Sequence, residues 1–128
     1  MSILITGGTG FVGRHLQKTL LDRGDQLLLC SRSSAANQAS PASSNVQIVS
    51  WDPMSQPIQL ADQNLRRDQI RVVINLMGEP VAKGRWTSEK RKRIRDSRVV
   101  GTRNLVSGLA QAKMIPHVFI SASAVGIY

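Results

Sequence analysis

Cysteine is nearly absent from this sequence: Cys30 is the only one in 128 residues. A single thiol cannot close an internal disulfide, so the chain is not a disulfide scaffold and a reducing, cytoplasmic setting is expected. Its neighbours in QLLLCSR place the thiol in a buried strand, with no thiolate-stabilising group in view. Aromatic residues amount to 4%, and Trp86 is the only one near the most basic stretch, too few for a platform on which bases stack. No apolar run approaches the roughly 18 residues that cross a bilayer. The apolar start lacks a basic leader and a cleavage site. The two histidines, His15 and His117, have no cysteine or carboxylate partners at ligand spacing, which argues against a metal centre. Acids are the scarce charge: eight Asp and Glu face 17 Lys and Arg, a net charge of +9. That surplus favours anionic partners, namely nucleic acid, a phosphorylated cofactor or substrate, or an acidic protein. A piece of a longer protein could carry the same imbalance without any such role.

What the chain does contain is a repeated alternation of short apolar strands and amphipathic helices. SILIT (2–6) is an apolar strand running straight into glycines. Val12, Leu16 and Leu20 recur every four residues in a helix from Phe11 to Arg23, with Gly24 as its stop. QLLLCS (26–31), VQIVSW (46–51), RVVINLM (71–77) and HVFISA (117–122) read as four further strands. The longest helical segment, 88–112, carries Ile94, Gly101, Leu105 and Leu109 on one face. A short helix is expected near Leu60–Asp68, and the polar low-complexity stretch 33–45 reads as a loop in place of a crossover helix. Near-continuous apolar strands alternating with helices imply an α/β fold with a parallel sheet covered on both faces. Right-handed crossovers and a reversal after the first strand give the order 3-2-1-4-5, a Rossmann-like doubly wound sheet forming one domain over 1–128.

The most informative stretch is ITGGTGFVGRH. Gly8, Gly10 and Gly13 fit G-x-G-x-x-G, and Gly7, Gly10 and Gly13 fit G-x-x-G-x-x-G. The pattern closes a strand and opens a helix, which is the context it requires. Missing side chains let the backbone turn tightly and approach a pyrophosphate, which then rests on the free N–H groups at the positive end of the helix dipole. Thr6, Gly7, Gly8, Thr9, Gly10, Phe11, Val12 and Gly13 are therefore the candidate cofactor turn. At the end of the second strand, where NAD-specific sites carry a carboxylate for the ribose 2′-OH, the sequence reads Ser31-Arg32-Ser33. A guanidinium flanked by hydroxyls grips a 2′-phosphate that a carboxylate would repel, so NADP is expected over NAD.

The basic run KGRWTSEKRKRIRDSR spreads cations around a helix turn, so Lys90, Arg91 and Lys92 are expected on a solvated face. Arg98, deeper in the helix, is the better candidate for an internal anion contact.

TGGTGFVG, NLMGEPV, RWTSEKRKRIRDSRVVGTRNLV and ISASAVGIY together resemble the extended short-chain dehydrogenase/reductase superfamily. More narrowly, they resemble its atypical branch within the NAD-dependent epimerase/dehydratase-like proteins, often labelled cell-division inhibitors. The likeness runs from Ser2 to Tyr128 and is weakest over 33–70. It implies that Gly7, Gly10 and Gly13 are cofactor glycines and that Asp52 faces adenine. It implies that Asn75, Leu76 and Gly78, in the Asn-x-x-Gly turn, line the cofactor cleft, with Arg98 and Ser121 beside them. Ser123 matches the serine that polarises a substrate hydroxyl or carbonyl. The superfamily's catalytic Tyr-x-x-x-Lys pair has no counterpart: Tyr128 is the only tyrosine and no lysine follows it. Tyr128 matches instead the aromatic of the Tyr-Gly pair just past that serine.

The resemblance thus points to the N-terminal portion of a longer protein, without its C-terminal substrate lobe. The expected function is an NADP-binding domain of an epimerase- or reductase-like protein whose substrate is not named by these residues, a nucleotide-linked one being the natural class to try. A non-catalytic NADP-sensing module is the alternative, and a basic nucleic-acid-associated protein the third. Neither a membrane partner nor an oligomeric state is indicated.

Overall fold

The computed structural model describes residues 1–33, 44–61 and 69–123. Five strands and two helices follow in chain order: β1 (Ser2–Thr6), α1 (Phe11–Asp22), β2 (Gln26–Ser31), β3 (Val46–Ser50), β4 (Ile70–Asn75), α2 (Ser88–Gln111) and β5 (Val118–Ser121). All neighbouring strands pair in parallel, in the order β3-β2-β1-β4-β5. The expected topology is the observed one. The expected helix near Leu60–Asp68 and most of the 33–45 loop lie outside the described residues.

The central strand shows why the sheet must be covered twice. Every residue of β1 is buried, and alternate side chains go to opposite faces. Ile3 and Ile5 meet Leu20, Leu27 and Ile74 on one side, where Leu16 and Leu21 of α1 pack. Leu4 meets Leu28, Val49 and Val73 on the other, under Leu105 and Leu109 of α2. At roughly 1.5–3 kcal/mol per fully buried aliphatic side chain, these two layers supply most of the driving force. A register shift between β1 and β4, where Ser2 pairs Ile70 but Ile3 pairs Val72, turns Arg71 outward. It also places Ile70 on the same face as Val73.

Two helix contacts depend on glycine. A Cβ at Gly101 would lie 2.8 Å from Met77 Sδ, and one at Gly108 would overlap the Ile58 backbone, so α2 approaches its neighbours more closely than any side chain allows. Ile94, Gly101, Leu105 and Leu109 all face inward, as their spacing indicates. On α1 the stripe is rotated from its simplest reading. Leu20 and Gly13 are buried and Leu16 half-buried, but Val12 is 61% exposed. In this first turn the buried residue is Gly13, where a Cβ would lie 2.6 Å from Gly8 Cα. At the sheet edge, Val118, Phe119 and Ile120 of β5 remain exposed.

Candidate cofactor site at the strand C-termini

A shallow cleft of about 420 Å³ lined by Met1, Arg71, Val72, His117 and Val118 lies at the strand N-termini. Ligands of open α/β sheets bind at the opposite edge, outside the strand C-termini, and that is where the sequence motifs converge.

There, β1 ends in a turn held by the Gly10 amide donating to the Gly7 carbonyl at 3.2 Å. Gly7 has φ +68°. A Cβ on it would lie 2.6 Å from the Leu76 carbonyl carbon and oxygen, so the turn presses directly on the end of β4. A Cβ on Gly13 would lie 2.6 Å from Gly8 Cα, which brings the first turn of α1 hard against the glycine loop. Gly10 differs. Its φ is −73°, and a Cβ would meet only the Gly7 carbonyl, at 3.4 Å. Nothing inside the protein demands glycine at position 10; the space above it is open to a ligand.

Gly10 is also the N-cap of α1, and no side chain caps the helix. The amides of Phe11, Val12 and Gly13 therefore point outward without intrahelical partners, and no acidic residue sits in the first turn to compete for them. Exposed Thr9, Gly10, Phe11 and Val12 border this opening. Gln17, which the sequence did not single out, donates from Nε2 to the Gly8 carbonyl at 2.6 Å and holds the loop from behind.

The second strand ends beside this turn, since Thr6 pairs with Cys30. Ser31 Oγ accepts from the Ser33 amide at 3.3 Å, curling the chain so that Arg32 projects into solvent, where it is exposed. Asp52 is exposed and engaged locally: its Oδ1 accepts from the Met54 amide at 3.1 Å, capping the turn after β3.

Asn75 is the polar centre of the site. Thr6 Oγ1 donates to its Oδ1 at 2.6 Å, and its Nδ2 donates to Thr102 Oγ1 at 3.0 Å and Ser121 Oγ at 3.2 Å. One buried carboxamide thus ties β1, β4, α2 and β5 together at their functional edge. Thr102 was not legible as part of this set, because nothing in helical periodicity says that a threonine one residue past Gly101 meets the end of β4.

The loop after β4 is clipped to α2 by two adjacent side chains. Ser97 Oγ accepts from the Glu79 amide at 2.9 Å, and Arg98 Nη1 donates to the Glu79 carbonyl at 3.3 Å and the Ile94 carbonyl at 3.1 Å. The guanidinium lies flat against Gly78, where a Cβ would come within 2.7 Å of Arg98 Cζ. Arg98 is half-buried beside the loop after β4, and its Nη1 is committed to backbone carbonyls. Ser123 follows β5 and is exposed; Tyr128 lies outside the described residues.

Burial pushes the Cys30 thiol up to about 12, in keeping with an inert strand thiol packed against the α2-side core. Among the described residues no cluster could hold a metal ion, and no helix is long and apolar enough to cross a membrane. The expectation for the basic run needs one correction. Arg91, Lys92 and Arg93 are exposed, but Lys90 is only 5% exposed. At the third helical position its side chain folds back along α2 toward the N-terminus, beneath the turn before the helix.

The model of the NAD dependent epimerase/dehydratase family matches residues 3–128. The chain belongs to that family. An epimerase family protein of Bacillus subtilis, YfhF, is 36% identical over 128 residues, covering 100% of this chain and 39% of its own length. The chloroplastic SDR39U1 homolog of Arabidopsis thaliana is 32% identical, over 100% of this chain and 35% of that protein. The chain therefore spans well under half the length of these curated relatives. Among solved structures, human epimerase family protein SDR39U1 with NADPH superposes at a TM-score of 0.71 with 28% identity, over 100% of this chain and 38% of that one. ElxO with NADP bound superposes at 0.77 but is 16% identical, over 97% of this chain and 55% of that one, and shares the fold.

Proposed function

We propose that this family member binds NADP(H), with the pyrophosphate on the α1 N-terminus and the 2′-phosphate on Arg32. The observation that carries the reading is the open glycine turn: an uncapped helix start with three outward amides, no acid in its first turn, and internal packing that requires Gly7 and Gly13 but not Gly10. An anion is what such an opening accommodates. The exposed Arg32 beside it, with no carboxylate at the end of β2, supports the phosphorylated dinucleotide. The NADPH bound to the human relative and the NADP bound to ElxO favour the same choice.

Within that reading, Asn75, Leu76, Gly78 and Arg98 form the cleft wall. Ser121, whose oxygen accepts from Asn75, has its own proton free to donate to the cofactor. Ser123 is the residue to orient and polarise a substrate oxygen. The chemistry would be that of an epimerase or reductase, on a substrate still to be found, with nucleotide-linked compounds the first class to try. The direct test is a heat-shift measurement of the purified chain with NADP, NAD and neither. NADP should raise the melting temperature more than NAD at equal concentration; equal shifts, or none, would remove the reading.

A further inference from the structure

Asn75 is buried, and all three of its side-chain hydrogen bonds end on hydroxyls. A carboxamide can lie in two orientations, and the choice decides what those hydroxyls do with their own protons. The distances decide between them. Thr6 Oγ1 stands 2.6 Å from Oδ1, a length typical of O–H···O and too short for N–H···O. Thr102 Oγ1 and Ser121 Oγ stand 3.0 and 3.2 Å from Nδ2, the lengths of N–H···O bonds. Thr6 therefore donates, while Thr102 and Ser121 accept. Both N–H groups of the carboxamide are spent, so neither accepting hydroxyl can send its proton to Asn75.

Ser121 is the hydroxyl of this set that faces outward. It is exposed at the end of β5, paired with Asn75 in the sheet, as Asn75 is with Thr6 just before the glycine turn. Among the described residues no acceptor takes its proton.

Thr102 is what keeps this arrangement one-sided. Two hydroxyl oxygens stand on the Nδ2 side and one on the Oδ1 side, matching two N–H groups and one carbonyl. A reversed carboxamide would have only Thr6 to receive its two N–H groups, and an unpaired buried N–H is costly. Without the Thr102 oxygen there is one partner on each side. The bias is then lost, and a reversed Oδ1 would take the Ser121 proton.

We infer that Thr102 is a positioning residue: acting through Asn75, it holds Ser121 as a hydrogen-bond donor, so that the atom Ser121 meets on the bound dinucleotide is an acceptor oxygen. The inference rests on the NADP(H) reading above and adds to it the direction of one hydrogen bond and the residue that sets it.

The test is isothermal titration of NADP against the unmodified chain, Thr102→Val, Thr102→Ser, Ser121→Ala and the double variant Thr102→Val/Ser121→Ala. Ser121→Ala should weaken binding about five- to tenfold, the value of one hydrogen bond. Thr102→Val, which removes the oxygen and keeps the shape, should weaken it at least about threefold, and Thr102→Ser less than about twofold. In the double variant Thr102→Val should add nothing to the loss from Ser121→Ala, because its effect passes through that hydroxyl. Additive losses, or equal losses in Thr102→Val and Thr102→Ser, would overturn the inference and leave the proposed function standing. No NADP binding by the unmodified chain would remove the proposed function and the inference with it. NMR of the unmodified chain decides the orientation even if Thr102→Val does not fold. The Asn75 side-chain amide protons should show nuclear Overhauser contacts to the β-protons of Thr102 and Ser121, and contacts to Thr6 alone would overturn the inference.

Discussion

Gly7 and Leu76 are packed backbone to backbone: a single added carbon on Gly7 would lie 2.6 Å from the Leu76 carbonyl. The first glycine of the turn thus serves the joint between β1 and β4, whereas Gly10, three residues on, faces open space. The two should respond differently to substitution. Gly7→Ala meets both a backbone overlap and a left-handed φ, and should cost more than about 2 kcal/mol of stability in urea unfolding. Gly10→Val should cost about 1 kcal/mol, the loss of a tolerated N-cap, while abolishing NADP binding by steric blockade. Unchanged NADP affinity in Gly10→Val would make the glycine turn purely structural.

Arg32→Ala should weaken NADP binding by about 1–3 kcal/mol, the value of charge-assisted bonds to a phosphate, and leave NAD nearly unaffected. Isothermal titration of both cofactors against both proteins measures this. Equal losses for the two cofactors would separate Arg32 from the 2′-phosphate.

Cys30 links stability to alkaline pH. Its thiol is raised from 9.0 to about 12 by burial. Below pH 9 both folded and unfolded chains hold the proton, and the full stability is present. Between about pH 9 and 12 the unfolded chain ionises while the folded one does not, so stability falls by about 1.4 kcal/mol per pH unit from this group. Cys30→Ala should flatten that part of a stability-against-pH curve measured by urea unfolding.

The 128-residue chain should show no steady-state dehydrogenase or epimerase turnover, even with cofactor bound. Ser123 can orient a substrate oxygen, but hydride chemistry of this kind also needs a positioned group of suitable pKa to move a proton. No Tyr-x-x-x-Lys occurs among these residues. NADPH oxidation assayed against nucleotide sugars and small carbonyl compounds is the measurement. Turnover that disappears in Ser123→Ala would prove the chain a complete catalyst.

The sequence by itself determined the strands, both long helices, the sheet order and the glycine turn. These rest on short-range signals: apolar strands such as SILIT and QLLLCS have one way to be buried, parallel crossovers have one hand, and a strand–glycine–helix junction is written in adjacent residues. It also placed Ile94, Gly101, Leu105 and Leu109 on the buried face of α2. Only the tertiary structure decided depth and partnership. Val12 fits the apolar stripe of α1 yet is exposed, and Gly13 beside it is the residue buried in that turn. Lys90 sits in a run of cations yet is buried, because the turn 81–84 folds over it. Thr102 joins Asn75, 27 positions away in the chain, and Ser97 and Arg98 clip the loop at Glu79. Periodicity assigns a residue to a face of its own helix; which loop or strand end lies against that face is set by how the elements pack, and no local pattern carries it.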